Sequence, residues 1–154
     1  MLITKHNTDI FTFVEEGFSQ AIGHGVNTQG VMGGFAGIIA KKYTQQCEGY
    51  LGLCRTSKLS QDVINRGLAI EAVRDNCPTI YHLVTQINPG ADARIEYIKK
   101  SLTSAIGMAK ERGLTSIAIP AIGTGIGGLD FEETIAELTE TFKNEDFSIY
   151  LCIR

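Results

Sequence analysis

A cluster of four glycines near the carboxyl terminus constrains the fold of this chain more than any other feature. Gly123, Gly125, Gly127 and Gly128 follow directly on an apolar run that ends at Pro120. An amphipathic segment with helical spacing comes next. Strand, glycine loop and helix in this order direct backbone N–H groups and a helix amino terminus at a phosphate group. The segment therefore predicts an α/β fold with an anion site at the end of a strand.

The spacing of Gly123, Gly125 and Gly128 also matches the GxGxxG fingerprint of dinucleotide-binding proteins. That fingerprint opens a βαβ unit, and an acidic residue that binds a ribose follows about 20 residues later. Here only one predicted helix and one short strand remain before Arg154. The position of the motif therefore favours a phosphate loop of another α/β fold over a Rossmann cofactor site.

A second glycine-rich segment, which we call the early loop, lies between Ile22 and Gly37. It follows a short apolar stretch and leads into residues 35–43, which we predict to be helical. Two strand–glycine loop–helix units can each bind a phosphate group. The predicted ligand is therefore a diphosphate that joins two organic groups.

Composition and charge narrow the class of protein. The length of 154 residues suits one domain, which we expect to cover residues 1–154. A formal net charge of −3 argues against general binding of duplex nucleic acid, which needs a basic face. No apolar run approaches the ~20 residues that span a bilayer, and we find no secretory signal. We expect a cytoplasmic protein without a membrane partner.

The cysteines and the loop composition argue against a metal or other cofactor. The cysteine spacings match no zinc pattern, so we expect reduced thiols. The glycine loops supply neutral donors rather than the carboxylates that bind Mg²⁺ or Ca²⁺. The four cysteines are Cys47, Cys54, Cys77 and Cys152.

Helical and strand-like segments alternate along the chain, which predicts a mixed, largely parallel sheet covered on both faces. One helical stripe begins at Ile95 and ends before Gly113; a second begins at Phe131 with Asp130 as its N-cap. A turn cluster at 74–78 predicts a hairpin between the strands around it. The predicted strands are 2–6, 18–23, 51–53, 69–73, 79–84, 115–120 and 147–153.

The two glycine loops, together with Asp9-Ile10, resemble the macro domain family. The resemblance extends over essentially the whole chain and keeps the order of the motifs. It implies a three-layer α/β/α sandwich that binds ADP-ribose. Within the family, the early loop is most similar to the branch that contains ADP-ribose 1″-phosphate phosphatases and hydrolases of ADP-ribosylated acidic side chains or DNA bases.

The resemblance also implies a role for individual residues. Asp9 accepts a hydrogen bond from the adenine amino group, Ile10 lines the adenine pocket, and Asn27 faces the distal ribose. A local reading of Asp9 as a turn residue stays open. The residues that wrap the ribose and the diphosphate are Val31, Met32, Gly33, Gly34, Ile122, Gly123, Thr124, Gly125, Ile126 and Gly127.

The chain departs from part of this branch. Some members carry a catalytic lysine directly after the strand that aligns with residues 81–85, where this chain has Gln86. Those members also carry an aspartate in the diphosphate loop, at the position of Gly127. A mechanism through a lysine adduct is therefore not expected.

Three residues are the candidates for catalysis. His24, which we place inside the early loop, either transfers a proton or only shapes the loop. Gln86 ends an apolar strand and can position water or the scissile group. Asp92 either holds the attacking water or is simply solvated. His6 and His82 lie in apolar strands and are expected to be structural.

Two functions fit these residues. We favour an enzyme that hydrolyses a bond at the 1″ position of the distal ribose of ADP-ribose and releases a macromolecule or inorganic phosphate. The alternative is a module that binds ADP-ribose without turnover. In either case the predicted partner is ADP-ribose or an ADP-ribosylated macromolecule, and we expect a monomer.

Overall fold

The computed structural model describes residues 1–56 and 68–154. Its centre is a six-stranded sheet in the order β1-β6-β5-β2-β4-β3. All neighbouring strands are parallel except β3 and β4, which form the predicted hairpin as an antiparallel pair. The strands are β1 Leu2–Lys5, β2 Ala21–Val26, β3 Ala69–Ala72, β4 Thr79–Val84, β5 Ser116–Ile119 and β6 Ser148–Cys152.

Helices cover both faces of this sheet, as the alternation of elements predicts. One face packs Tyr81 and Ile117 against Leu102 and Leu138 of the last two helices. The other face packs strand residues such as Ile22 against the earlier helices. The described helices are α1 Ile10–Glu15, α2 Gly34–Lys42, a 3₁₀ turn Thr44–Cys47, α3 Glu48–Arg55, α4 Ile95–Glu111 and α5 Phe131–Thr141. The three-layer α/β/α prediction is confirmed.

Local capping signals are also confirmed. The Asp130 carboxylate accepts a hydrogen bond from the Glu133 N–H at 2.9 Å, so α5 begins where its N-cap predicts. Gly113 follows the end of α4 with a φ of +76°, a left-handed conformation that glycine adopts without steric cost.

Three sequence predictions are wrong. Residues 51–53 lie in α3 rather than in a strand, because a three-residue apolar run does not distinguish a strand from one face of a helix. Strand β2 begins at Ala21 rather than at Phe18, whose side chain is exposed, and it continues through His24 to Val26. His6 lies beyond the end of β1 in an exposed turn, so it is not a buried strand histidine.

The sheet opens a crevice beside β2. Strand β2 pairs with β4 along six residues, but with β5 only through Ile22 and Ala118. The register between β2 and β5 does not extend beyond that pair. Because the chain crosses from β4 over β2 to reach β5, this is the topological switch point at which open α/β sheets bind ligands.

No helix among the described residues is long and apolar enough to cross a membrane.

Candidate functional site

A cavity of about 490 Å³ lies at the carboxyl ends of β2, β4 and β5. Its volume is within the usual range of small-molecule sites, roughly 300–1,000 Å³. Both glycine loops contribute to its wall, together with the start of α2 and the loop that follows β4. The lining residues are Gly25, Val26, Asn27, Val31, Gly33, Gly34, Phe35, Ala36, Thr85, Gln86, Pro89, Gly90, Pro120, Ala121, Ile122, Gly123, Gly125, Ile126 and Gly127.

The glycine-rich segment after β5, residues 121–129, is called the late loop, and hydrogen bonds within its own backbone hold its shape. The Leu129 N–H donates to the Gly123 carbonyl at 2.8 Å, and the Gly128 N–H donates to the Gly125 carbonyl at 3.2 Å. No described residue accepts from the N–H groups of Gly125, Ile126 and Gly127. Three successive free N–H groups at the wall of a cavity form a concave donor site suited to an anion.

The packing of the fold requires some glycines of the late loop but not others. A methyl group added at Gly127 would lie 2.8 Å from the Gly123 carbonyl oxygen, and one added at Gly128 would lie 2.7 Å from the Ala91 Cβ. The fold itself therefore requires glycine at both positions. A methyl group at Gly125 would meet nothing within 4 Å, and the backbone there is not left-handed. The packing of the fold therefore does not require glycine at Gly125, which lines the cavity.

The amino terminus of α2 faces the late loop across the cavity. Its N-cap, Gly33, makes no side-chain capping hydrogen bond. The first N–H groups of a helix have no partner within the helix, and the helix dipole adds a partial positive charge there. A methyl group at Gly33 would also meet open space, whereas one at Gly34 would lie 2.9 Å from the Ile126 Cδ1. The Ile126 side chain thus bridges the two loops.

Side chains, rather than backbone, hold the early loop. The Asn27 amide nitrogen donates to the Val31 carbonyl at 2.8 Å, and its oxygen accepts from the N–H groups of Gln29 and Val31 at 2.9 and 3.3 Å. The buried Tyr50 hydroxyl donates to the Asn27 carbonyl at 2.7 Å. Asn27 lines the cavity as predicted, but both ends of its amide are engaged inside the loop. Its contact with a distal ribose stays a prediction.

His24 lies in a strand rather than in loop backbone, contrary to the prediction. It is in the middle of β2, 1% exposed, and does not line the cavity. Its Nε2 is 2.8 Å from His82 Nδ1, and His82 Nε2 is 2.8 Å from the Gln46 carbonyl oxygen. Since that carbonyl only accepts, His82 Nε2 donates to it, and His24 Nε2 donates to His82 Nδ1.

Burial, with the neighbouring His82, holds the pKa of His24 well below its usual range, and burial lowers the pKa of His82 too. Both rings are therefore neutral in the fold at neutral pH. His24 Nδ1 is buried without a hydrogen-bond partner among the described residues. His24 is thus buried and is not among the residues that line the cavity; its role in proton transfer stays a prediction.

The loop after β4 presents Gln86 to the cavity. Asp92, the third candidate, is not among the lining residues. Its carboxylate accepts hydrogen bonds from the N–H groups of Ile87 and Asn88 at 3.1 and 2.8 Å, so it holds the loop together. A contact between Asp92 and an attacking water stays a prediction.

Four predicted binding residues lie outside the cavity wall. Asp9 is the N-cap of α1, where its carboxylate accepts from the N–H and the hydroxyl of Thr12 at 3.3 and 2.9 Å. Ile10 is buried in the core, and Met32 packs against that core. Thr124 donates hydrogen bonds to the Ala121 carbonyl from both its hydroxyl and its N–H. Neither donor is therefore free for the predicted contact with a phosphate. The adenine contacts of Asp9 and Ile10 stay predictions.

Part of the cavity wall is formed by residues that were not predicted. Phe35 and Ala36 lie in the first turn of α2, and Thr85, Pro89 and Gly90 flank Gln86. Ligands of open α/β sheets bind at the carboxyl ends of the strands, and this strand-end rule indicates all five residues, because each lies within a few residues of a strand end or a helix start at the crevice. Among the described residues there is no group of three or more His, Cys, Asp or Glu side chains that could hold a metal ion.

Comparisons with known proteins converge on one family. The macro domain family model matches residues 24–138. The DNA ADP-ribosyl glycohydrolase of Mycobacterium tuberculosis (strain ATCC 25618 / H37Rv) is 27% identical over 127 residues, which are 81% of this chain and 35% of that protein. The chain therefore spans about a third of the length of the curated relatives it matches.

Solved structures share the fold. The macrodomain of Thermus aquaticus DarG superposes with a TM-score of 0.77 at 22% identity, over 99% of each chain. Thermosipho africanus DarTG in complex with ADP-ribose gives a TM-score of 0.76 at 20% identity, over 98% of this chain and 41% of that one. At this level of identity the likeness concerns the fold.

Proposed function

Because the chain belongs to the macro domain family, we propose that it binds ADP-ribose in this cavity and hydrolyses the bond that joins C1″ of the distal ribose to an acceptor. The observation that carries the proposal is the pair of donor sites that face each other. Free N–H groups of Gly125, Ile126 and Gly127 stand on one side, and the uncapped start of α2 stands on the other. Two such sites suit the two phosphates of a diphosphate.

The electrostatics of the wall support a ligand held by neutral donors. No Asp, Glu, His, Lys or Arg is among the described residues that line the cavity. Hydrogen bonds from neutral N–H groups to charged oxygens contribute about 1.5–3 kcal/mol each, so several of them are enough for micromolar binding. Gly33 and Gly125, where added side chains would meet only open space, let the backbone approach the phosphates closely.

For the acceptor we propose a DNA base. The support is the relative with the matching name, a DNA ADP-ribosyl glycohydrolase that shares 27% identity over 81% of this chain. The charge of the cavity wall argues against a 1″-phosphate substrate. Its terminal phosphate would bring further negative charge to a cavity without a cationic side chain among its described lining residues. A phosphatase activity is accordingly the weaker alternative. A modified protein is the other macromolecular acceptor to test.

A non-catalytic ADP-ribose-binding module is the second candidate function. The observation that favours it is again the wall, because the described lining residues include no side chain that acts as an acid or base near neutral pH. Any turnover must then come from the placement of water and donors rather than from proton transfer to the protein.

A turnover assay separates the two functions. ADP-ribosylated single-stranded DNA, ADP-ribosylated protein and ADP-ribose 1″-phosphate are incubated in parallel with the protein and a metal chelator, and released ADP-ribose is measured. We expect release from the DNA substrate and loss of release in Gly125→Val, with Gln45→Ala, an exposed residue away from the cavity, as the matched control. Tight binding of ADP-ribose without turnover of any substrate would establish the binding module instead. The cytoplasmic location and the monomeric state stay part of the proposal.

A further inference from the structure

The side-chain amide of Gln86 is fixed in one orientation. Its Nε2 donates to the carbonyl oxygens of Asn88 at 2.6 Å and Gly90 at 2.9 Å, so both amide hydrogens are used. A flipped amide would place Oε1 against two oxygens that only accept, so the hydrogen-bond network decides the orientation. No described residue donates to Oε1. Gln86 lines the cavity, and its Oε1 is a neutral acceptor without a donor among the described residues.

Asp92 in turn holds the two residues that supply these carbonyls. The Asp92 carboxylate accepts from the Asn88 N–H at 2.8 Å, and the Asp92 N–H donates to the Gly90 carbonyl at 2.9 Å. The Ile87 carbonyl in turn accepts from the N–H and the hydroxyl of Thr28 in the early loop, at 3.1 and 2.9 Å. The loop therefore holds Gln86 in place before any ligand binds.

We propose that Gln86 Oε1 accepts a hydrogen bond from the water that attacks C1″, and that Asp92 is a positioning residue that acts through Gln86. The proposal rests on the proposed function. In the reaction the water oxygen bonds to C1″ while the bond from C1″ to the acceptor breaks, and the acceptor leaves with the electron pair. One proton of the water goes to the departing acceptor or to solvent, and the products are ADP-ribose and the free acceptor.

An amide oxygen is far too weak a base to remove that proton, so Gln86 contributes by orientation. A water held by a fixed acceptor loses less freedom on reaching the transition state than one held by a mobile side chain. The contribution therefore belongs to kcat rather than to the affinity for ADP-ribose. His24, the other candidate, is buried in β2 and does not line the cavity.

The first test replaces Gln86. We expect Gln86→Ala to lower kcat at least about tenfold while the Kd for ADP-ribose changes by less than about threefold, the pattern of an interaction made mainly in the transition state. Gln45→Ala, with its side chain on the exposed 3₁₀ turn, is the matched control. A Gln86→Ala protein that turns over at the parent rate would overturn the proposal.

Gln86→Glu supplies a readout that a purely structural role would not give. A carboxylate repels the Asn88 and Gly90 carbonyls, whereas a protonated carboxyl donates to one of them and keeps an oxygen for water. The activity of Gln86→Glu, divided by that of the parent at each pH, should therefore rise as the pH falls towards the glutamate range, about 4–5. A ratio that does not change with pH would contradict an orienting acceptor.

The second test asks whether Asp92 acts through Gln86. Asp92→Ala should lower kcat by a similar factor, and the double variant with Gln86→Ala should be no slower than either single variant, because both remove the same interaction. Asp92→Asn, which keeps an oxygen for the two N–H groups, should retain most of the rate. Asp75→Ala, in an exposed turn, is the control. Additive losses would show that Asp92 acts independently.

Different results would overturn the hydrolytic function and the assignment of Gln86 and Asp92. Tight ADP-ribose binding with no turnover by the parent protein overturns the hydrolytic function, and the water site with it. Turnover by the parent that survives both substitutions overturns only the assignment of Gln86 and Asp92. A loss of ADP-ribose affinity equal to the loss of rate would identify Gln86 as a binding residue instead.

Discussion

The two glycine loops face each other across one cavity, but they are built in different ways. The late loop is held by its own backbone, and Gly127 and Gly128 are required because a side chain there would collide with the loop or with Ala91. The early loop is held by side chains, chiefly Asn27 and the buried Tyr50 beneath it. A run of glycines therefore identifies a loop near a ligand without telling which glycines serve the fold and which serve the ligand.

Gly127→Val should have the largest effect, because it damages the fold and the site together. The added side chain would overlap the Gly123 carbonyl and the Ala93 Cβ, which lie 2.8 and 2.9 Å from the position of its first carbon. Overpacking of this kind costs about 1–3 kcal/mol, so we expect a lower melting temperature as well as no ADP-ribose binding. Thermal unfolding and calorimetry measure the two effects. An unchanged melting temperature would show that the late loop adapts.

Gly125→Val should separate binding from folding. Its side chain enters open space in the free protein, so the melting temperature should match that of the parent. The same side chain would occupy the position of the ligand, and we expect at least about a hundredfold weaker ADP-ribose binding, about 2.7 kcal/mol. Unchanged affinity would place the diphosphate away from the free N–H groups of this loop.

Asn27→Ala tests the side-chain support of the early loop. The substitution leaves the N–H groups of Gln29 and Val31 without their acceptor, which should cost about 1–2 kcal/mol of unfolding free energy. ADP-ribose affinity should fall about tenfold because the loop loses its fixed shape. Asn144→Ala, at an exposed turn, is the control. A variant with parental stability would show that Tyr50 and the backbone suffice.

A titratable side chain, His24, lies in β2 at the start of the early loop and packs against the helix that follows it. His24 packs beside Phe35 at the start of α2, with ring centroids 6.2 Å apart. Because its pKa is lower in the fold than in the unfolded chain, unfolding takes up a proton. The contribution of His24 to stability is complete above its unfolded pKa, about 6.5, and is lost as the pH falls from there towards the folded pKa.

We therefore expect the unfolding free energy to fall between about pH 7 and pH 5, with a slope of at most about 1.4 kcal/mol per pH unit for each histidine that resists protonation. Hydrogen exchange should show that α2 and the early loop become less protected before the late loop does. His24→Leu should flatten the slope, and substitution of the exposed His6 should leave it unchanged. An equal slope in His24→Leu would assign the acid sensitivity to other groups.

Local sequence patterns predict most elements of the fold, whereas packing between distant segments determines the remaining ones. The Asp130 cap, the β3–β4 hairpin and both glycine loops depend on neighbouring residues, so they could be predicted. The segment 22–26 looks like a loop because of Gly23 and Gly25, yet it is a strand. Glycine is needed there because a side chain would press against Ile117 and Thr85 at 2.9 Å, contacts that no local pattern encodes.

The site was predictable to a similar extent. The strand-end rule alone places the glycines and Gln86 at the cavity. The roles of His24, Asp92 and Thr124, in contrast, depend on their hydrogen bonds in the folded chain. His24 bonds across the sheet to His82, and Asp92 and Thr124 bond within turns whose geometry is set by the fold. Residue type suggested acid–base chemistry at His24 and Asp92. In the structure His24 is buried and Asp92 bonds to backbone N–H groups of its own loop, so their catalytic roles stay predictions.

Calorimetry with ADP-ribose and AMP, in the presence of a metal chelator, tests most directly whether the two loops share one diphosphate ligand. ADP-ribose reaches both donor sites and should bind with a Kd in the micromolar range, about −7 to −8 kcal/mol. AMP carries one phosphate and should bind at least about tenfold more weakly, a difference of about 1.4 kcal/mol or more. Equal affinity for the two nucleotides, or no binding of ADP-ribose, would contradict a cavity built from two cooperating loops.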